Sequence, residues 1–255
     1  MFMATPRDYF GESVAAQYDE WAAPMFEPAV LEPMVGVLAD LADGGSVLEF
    51  GIGTGRVALP LSRRGIRVHG IELSSAMVDR LRAKPGADAI GVTMGDFATV
   101  RVNDTFEVAY IVFNTIMNLT TQNAQVSCFH NAAAHLSPGG RFVVEVVTPD
   151  LRRLPPGETI RPFTVTPTHL GFDEYDVAHQ GVISHHYHLV DGGRWEATSL
   201  PFRYVWPSEL DLMARMAGMT LRYRWGAWDR EPFTSESTQH VSVWEKVGTP
   251  AGEAG

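Results

Sequence analysis

Apolar residues first recur at helical spacing at Leu31, Met34, Val35, Leu38 and Leu41, and the stretch 11–40 reads as one or two leading helices broken near Pro24. The run from Ser46 to Phe50 is short and mostly apolar, and it leads into glycines and then a helical stretch through Arg64, which predicts strand, turn and helix. The alternation continues with strands over Arg67–Ile71, Ala89–Thr93 and Phe106–Phe113, and helices over Ser74–Ala83 and Gln122–Leu136. Ser-Pro-Gly-Gly then ends the last helix, because proline cannot continue it and glycine suits the turn, and Arg141–Val147 forms the next strand. Apolar strands alternating with helices predict a parallel sheet covered on both faces.

The pattern changes after Thr148. Residues 151–205 are rich in Pro, Thr, His and Gly, and two alternating stretches, Val182–Val190 and Trp195–Tyr204, flank the turn Asp191-Gly192-Gly193. A helix over Ser208–Ala217 and strands over Thr220–Trp225 and Gln239–Glu245 follow. The expected architecture is α/β: a Rossmann-like, doubly wound, mostly parallel seven-stranded sheet with an antiparallel C-terminal hairpin and an inserted antiparallel β cap. The segments are a helical lead (1–44), the core (45–150), the cap (151–205), the closing helix and strands (206–247) and a small, polar tail expected to be disordered (248–255).

Composition narrows the partners. At 255 residues and 45% hydrophobic content the chain can bury a large core. Its net charge of −10 argues against nucleic acid and against an anionic membrane surface, both of which select clustered Lys and Arg. A single cysteine, Cys128, excludes an internal disulfide and fits a reducing compartment. The first residues lack the pattern of a signal peptide, and no apolar run approaches the ~18 residues of a membrane span, so a cytoplasmic protein is expected. Monomer and homodimer are both compatible with the sequence.

The sharpest chemical signal is Glu49-Phe50-Gly51-Ile52-Gly53-Thr54-Gly55, glycines at the carboxyl end of the first strand that let backbone approach a ligand. Glu72, ending the second strand, can accept hydrogen bonds from ribose hydroxyls, so the two together point to an adenosine-bearing cofactor. The spacing is G-x-G-x-G, and Arg56 stands where the dinucleotide fingerprint places its third glycine. The phosphate-cradling G-x-x-x-x-G-K-[ST] is also absent.

These residues resemble the class I S-adenosylmethionine-dependent methyltransferase family, whose first motif has this form. The resemblance covers roughly residues 14–150 and implies S-adenosylmethionine as cofactor. It implies that Glu49 lies near the amino group of the methionine moiety, that Gly51, Gly53 and Gly55 line its path, and that Glu72 holds the ribose, with Arg56 a further cofactor-binding candidate. Leu73 and Met77 would flank the adenine. Gly95-Asp96-Phe97 matches the adenine-edge motif, with Asp96 accepting from the adenine amino group, and Asn114 would contact the methionine end. Leu136-Ser-Pro-Gly-Gly140 is also typical of the family.

Within the family the chain is most similar to bacterial natural-product N-methyltransferases, including amino-sugar N,N-dimethyltransferases and peptide N-terminal methyltransferases of the cypemycin kind. With the latter the likeness extends to Ser208–Gly218 and Glu231–Ser235, and implies that Trp228, Glu231 and Phe233 face the acceptor. The expected acceptor is a small molecule or short peptide, methylated on nitrogen; O-methylation, a non-catalytic cofactor-binding protein and an NAD-dependent oxidoreductase are the alternatives. The catalytic candidates are Tyr18, in the leading helix, and His186, in the cap. His186 and His188 share a strand face but form two ligands without a third, so no metal is expected.

Overall fold

The computed structural model describes residues 9–248; the expected disordered tail falls, apart from Gly248, outside the described residues. The leading helices are α1 (Glu12–Trp21) and α2 (Pro28–Ala42). The break between them is a 3₁₀ turn over Ala23–Phe26 that contains Pro24, and Pro28 opens α2 where a missing N–H does no harm. The chain then alternates through β1 (Val47–Phe50), α3 (Ala58–Arg63), β2 (Val68–Glu72), α4 (Ser75–Arg82), β3 (Gly91–Met94), β4 (Phe106–Ile111), α5 (Gln122–His135) and β5 (Leu136–Val147). Strands β6 (Ile160–Val165), β7 (His169–Asp176), β8 (Gly181–Val190) and β9 (Arg194–Arg203) follow, then α6 (Pro207–Met216), β10 (Met219–Trp225) and β11 (Gln239–Lys246).

The main sheet has seven strands in the order β10-β11-β5-β4-β1-β2-β3. Strands β1 to β5 pair in parallel, and β11 runs antiparallel to both β5 and β10. Side chains alternate between two apolar layers: Phe142, Val144 and Val146 of β5 enter one with Phe129 of α5 and Leu210 of α6, while Val143 enters the other with Leu38 of α2 and Leu61 of α3. Strand order reverses direction between β1 and β4, which opens a crevice beyond their carboxyl ends.

Three details depart from the sequence reading. Strand β5 begins at Leu136, directly after α5, and its pairing with β4 jumps from Phe106↔Leu136 to Val108↔Arg141, so Ser-Pro-Gly-Gly is a bulge inside the strand rather than a turn before it. Ala87–Ala89 is a 3₁₀ turn, and β3 starts only at Gly91. The cap sheet has four strands, in the order β6-β7-β8-β9, where hydrophobic alternation marks only the last two. Strand β6 buries none of its residues, and the less exposed face of β7 is His169, Gly171, Asp173 and Tyr175, too polar and small to give a hydrophobic period-two signal. Pro162 is tolerated because β6 lies at the sheet edge.

A buried polar network holds the cap to the core. Arg203, 5% exposed at the end of β9, donates to Glu209 of α6 at 2.7 Å and to Gln180 of the β7–β8 turn at 2.8 Å, and also to Gln125 of α5. Gln125 and Gln180 in turn donate to main-chain carbonyls of Arg203 and Tyr204. The guanidinium fork thus satisfies groups from three elements at once.

Candidate functional site

The glycine turn after β1 folds as it does because Gly51, Gly53 and Gly55 all take left-handed φ, at 72°, 54° and 81°. A Cβ at Gly51 would stand 2.7 Å from Thr115 Cγ2, and one at Gly55 would collide with Leu81 of α4. A Cβ at Gly53 would meet only the Gly51 carbonyl at 4.0 Å, so that missing side chain leaves open space over the turn.

Two buried carboxylates flank this turn. Glu49 of β1, 4% exposed, accepts a 2.8 Å hydrogen bond from Tyr110 Oη on β4. Burial pushes its pKa up to about 8, a rise opposed by the Tyr110 hydrogen bond and the nearby Arg56. Glu72 accepts from Gly53 N–H at 2.8 Å through Oε2, and from Leu73 N–H at 2.9 Å and Ser74 N–H at 3.0 Å through Oε1. It thereby ties the glycine turn to the start of α4, whose N-cap is Ser74.

The first cleft wall consists of Tyr18, Glu49, Gly51, Ile52, Gly53, Thr54 and Arg56, and the second of Val112, Phe113 and Thr115 beyond β4. Phe113 and Asn114 both have positive φ, 57° and 61°, an uncommon pair for residues with a Cβ. Glu145 of β5 fixes that strained turn by accepting from Phe113 N–H at 2.9 Å, and its other oxygen accepts from Trp228 Nε1 at 2.8 Å. The Arg56 guanidinium lies 5.0 Å from the Phe113 ring centroid.

Helix α1 closes over the turn through a polar latch. Thr54 Oγ1 donates to Asp19 at 2.6 Å, and Lys84 Nζ reaches Asp19 at 2.5 Å and the Thr54 carbonyl at 2.9 Å. Tyr18, beside Asp19, therefore stands on the cleft wall, and burial raises its pKa. The hydrophobic pattern alone gives no sign of this latch, which joins residues from three separate elements.

The remaining sequence candidates divide into two groups. Met77 is buried against Ala15 and Tyr18, Leu73 is 37% exposed next to Glu72, and Phe97 stacks on Phe50 at 5.9 Å behind Gly51. Asp96 caps its own turn by accepting from Ala98 N–H at 2.8 Å, and Gly95 N–H donates to the Glu72 carbonyl. Asn114 is turned toward β5, accepting from Val147 N–H at 2.8 Å, and its neighbours Phe113 and Thr115 line the cleft instead. His186 lies in the cap and is not among the residues lining the cleft; its ring nitrogens meet His169 and Ser184 at 3.1 and 3.3 Å. Burial, with the neighbouring His169, His188 and His185, lowers its pKa to about 4. Trp228 is buried against the core and Phe233 packs on His240.

Comparison with known proteins gives the family. A methyltransferase-domain family model matches residues 47–140. The solved structure of the CcbJ methyltransferase from Streptomyces caelestis is 34% identical, covers 97% of this chain and 100% of its own, and superposes with a TM-score of 0.84. The chain belongs to the S-adenosylmethionine-dependent methyltransferases. Cypemycin N-terminal methyltransferase from a Streptomyces species is 29% identical to this methyltransferase over 90% of the chain and 97% of the relative. CalS10, an amino pentose methyltransferase from Micromonospora echinaspora solved with its cofactor bound, shares the fold at 19% identity, a TM-score of 0.68 and 94% and 99% coverage.

The site of the methyltransferase fits S-adenosylmethionine. Its glycine turn leaves room at Gly53, and its two buried carboxylates suit a ligand with an ammonium group and a vicinal diol. No helix among the described residues is long and apolar enough to cross a membrane.

Proposed function

We propose that the methyltransferase methylates the nitrogen of a small amine-bearing acceptor, an amino sugar or a peptide N-terminus, in a natural-product pathway. The likeness to cypemycin N-terminal methyltransferase carries this reading, because it spans the cap and the C-terminal segment as well as the cofactor core. Structures sharing the fold include a sugar N-methyltransferase and a glycopeptide N-methyltransferase, which supports the same class.

In this reading the two ends of the cofactor meet opposite chemistry. Glu49 accepts from the ammonium of the methionine moiety, Arg56 faces its carboxylate, and the main chain at Gly51, Gly53 and Gly55 lies along it. Glu72 receives the ribose hydroxyls, Leu73, Met77 and Phe97 border the adenine, and Asp96 accepts from its amino group beside Gly95. Asn114 stays in the reading as a support of the turn that presents Phe113. When bound, the cofactor supplies a methyl group already activated on a sulfonium.

The chain's own task is then to orient the acceptor in line with that methyl group and to exclude water, since proximity supplies much of the acceleration. Tyr18, held by the Asp19 latch, shapes the wall beside the reacting centre. An amine needs only to be neutral to attack and can release its proton to solvent, so no side chain is required as base. His186, engaged by His169 and Ser184, is left out of the methyl transfer.

The test is turnover with S-adenosylmethionine on matched acceptor pairs differing only in amine versus hydroxyl, with products followed by mass spectrometry. Gain of one or two methyl masses on the amines alone is expected, and Tyr18→Ala should lower kcat more than it lowers cofactor affinity. Methylation of the hydroxyl partners instead would overturn the N-methyl reading.

A further inference from the structure

The cap holds a cluster that the proposed methyl transfer does not use. His186 and His188 lie two residues apart on β8, and the antiparallel register places His169 of β7 directly opposite His188. All three imidazoles therefore project from one face of the cap sheet. One ligand nitrogen from each ring lies within 4.8 Å of the other two, and all three residues are half-buried. His169 Nε2 and His186 Nδ1 are 3.1 Å apart, and the three rings stack nearly parallel, His169 on His188 with centroids 4.0 Å apart at 17°, so ligation turns each imidazole about its side-chain torsions toward the shared centre. Two nitrogens on a tetrahedral zinc ion with Zn–N bonds of 2.0–2.1 Å stand about 3.3 Å apart, so the closest pair is already near coordination distance.

The surroundings are those of a built site. The second nitrogen of His186 faces Ser184 Oγ at 3.3 Å, an outer contact of the kind that orients a ligating imidazole. Phe163 packs on His186 with ring centroids 5.2 Å apart, and Trp21 of α1 stacks on His188 at 5.6 Å and 6°. Gly171, opposite His186 on β7, leaves the space that the Phe163 ring fills.

We infer that His169, His186 and His188 form a binding site for one divalent ion of the zinc class, with three protein nitrogens and a fourth position for water. Three imidazoles select borderline late first-row ions over magnesium or calcium, which prefer oxygen. Through Trp21 on His188, the ion would fix the cap against the helix that carries Tyr18.

The test uses the full chain, without a histidine tag and stripped by chelator, titrated with zinc sulfate by calorimetry and with cobalt chloride by visible absorption. One ion per chain is expected, with the intense d–d absorption of tetrahedral cobalt. His169→Phe should weaken zinc binding by about a hundredfold or more, since loss even of an outer partner can cost that much. His186→Gln serves as a second variant, and circular dichroism with S-adenosylmethionine affinity within a factor of two of the parent establishes that each variant is folded. His179→Ala, at an exposed histidine paired with Asp176, should bind zinc as the parent does. Absence of stoichiometric uptake, or zinc affinity unchanged in whichever of the two cluster variants folds, would mean a metal-free imidazole stack and overturn the inference.

Discussion

Glu49 and Tyr110 are neighbours across the β1–β4 pair, and the tyrosine hydroxyl donates 2.8 Å to the carboxylate at the strand order's reversal point. Both are sealed from water, and burial raises the pKa of each.

Because its folded pKa of about 8 lies above the ordinary 4.5, Glu49 keeps in the folded chain a proton that the unfolded chain releases. Stability of the cofactor-free protein should therefore fall as pH rises from about 5 to 8, by no more than the one-proton limit of about 1.4 kcal/mol per pH unit, and level off above that. Denaturant midpoints of wild type and Glu49→Gln across this window check it; the variant should lose this slope. Cofactor binding near pH 7 should release a proton in the parent and not in Glu49→Gln, measured by calorimetry in buffers of differing ionisation enthalpy.

Glu72→Ala leaves Gly53, Leu73 and Ser74 N–H without their acceptor and removes the proposed ribose contact. The stranded N–H groups should lower stability, and ribose hydroxyls buried without their acceptor should cost about 1–3 kcal/mol of binding, so S-adenosylmethionine affinity should drop roughly tenfold or more. Calorimetric affinity within twofold of the parent would remove Glu72 from the site.

Arg203→Ala breaks the ion pair with Glu209 and strands Gln125 and Gln180 at the junction of cap and core. Removing one partner of a buried pair costs about 3–5 kcal/mol. The expected result is a lower melting temperature together with early proteolysis between residues 155 and 205, read by limited digestion.

The core was legible because its signals are local. A strand, a glycine turn, a helix and an acidic strand end fall within one βα unit and the next, and the positive φ values at Gly51, Gly53 and Gly55 are ones that the residue type itself favours. The order of those units also implied the doubly wound sheet, since apolar runs alternating with helices can bury both sheet faces only that way. Sequence had no access to what strand register and long-range packing decide. Strand β6 has no buried residue and the less exposed face of β7 is His169, Gly171, Asp173 and Tyr175, so no hydrophobic periodicity announced them, and without them His169 could not be set beside His186 and His188. The Asp19–Thr54–Lys84 latch, the Glu145 brace beneath Phe113 and the Arg203 network each join residues far apart in the chain. Patterning fixes which face of an element is apolar; which polar side chains meet across elements depends on where each element comes to rest, and only the folded chain decides that.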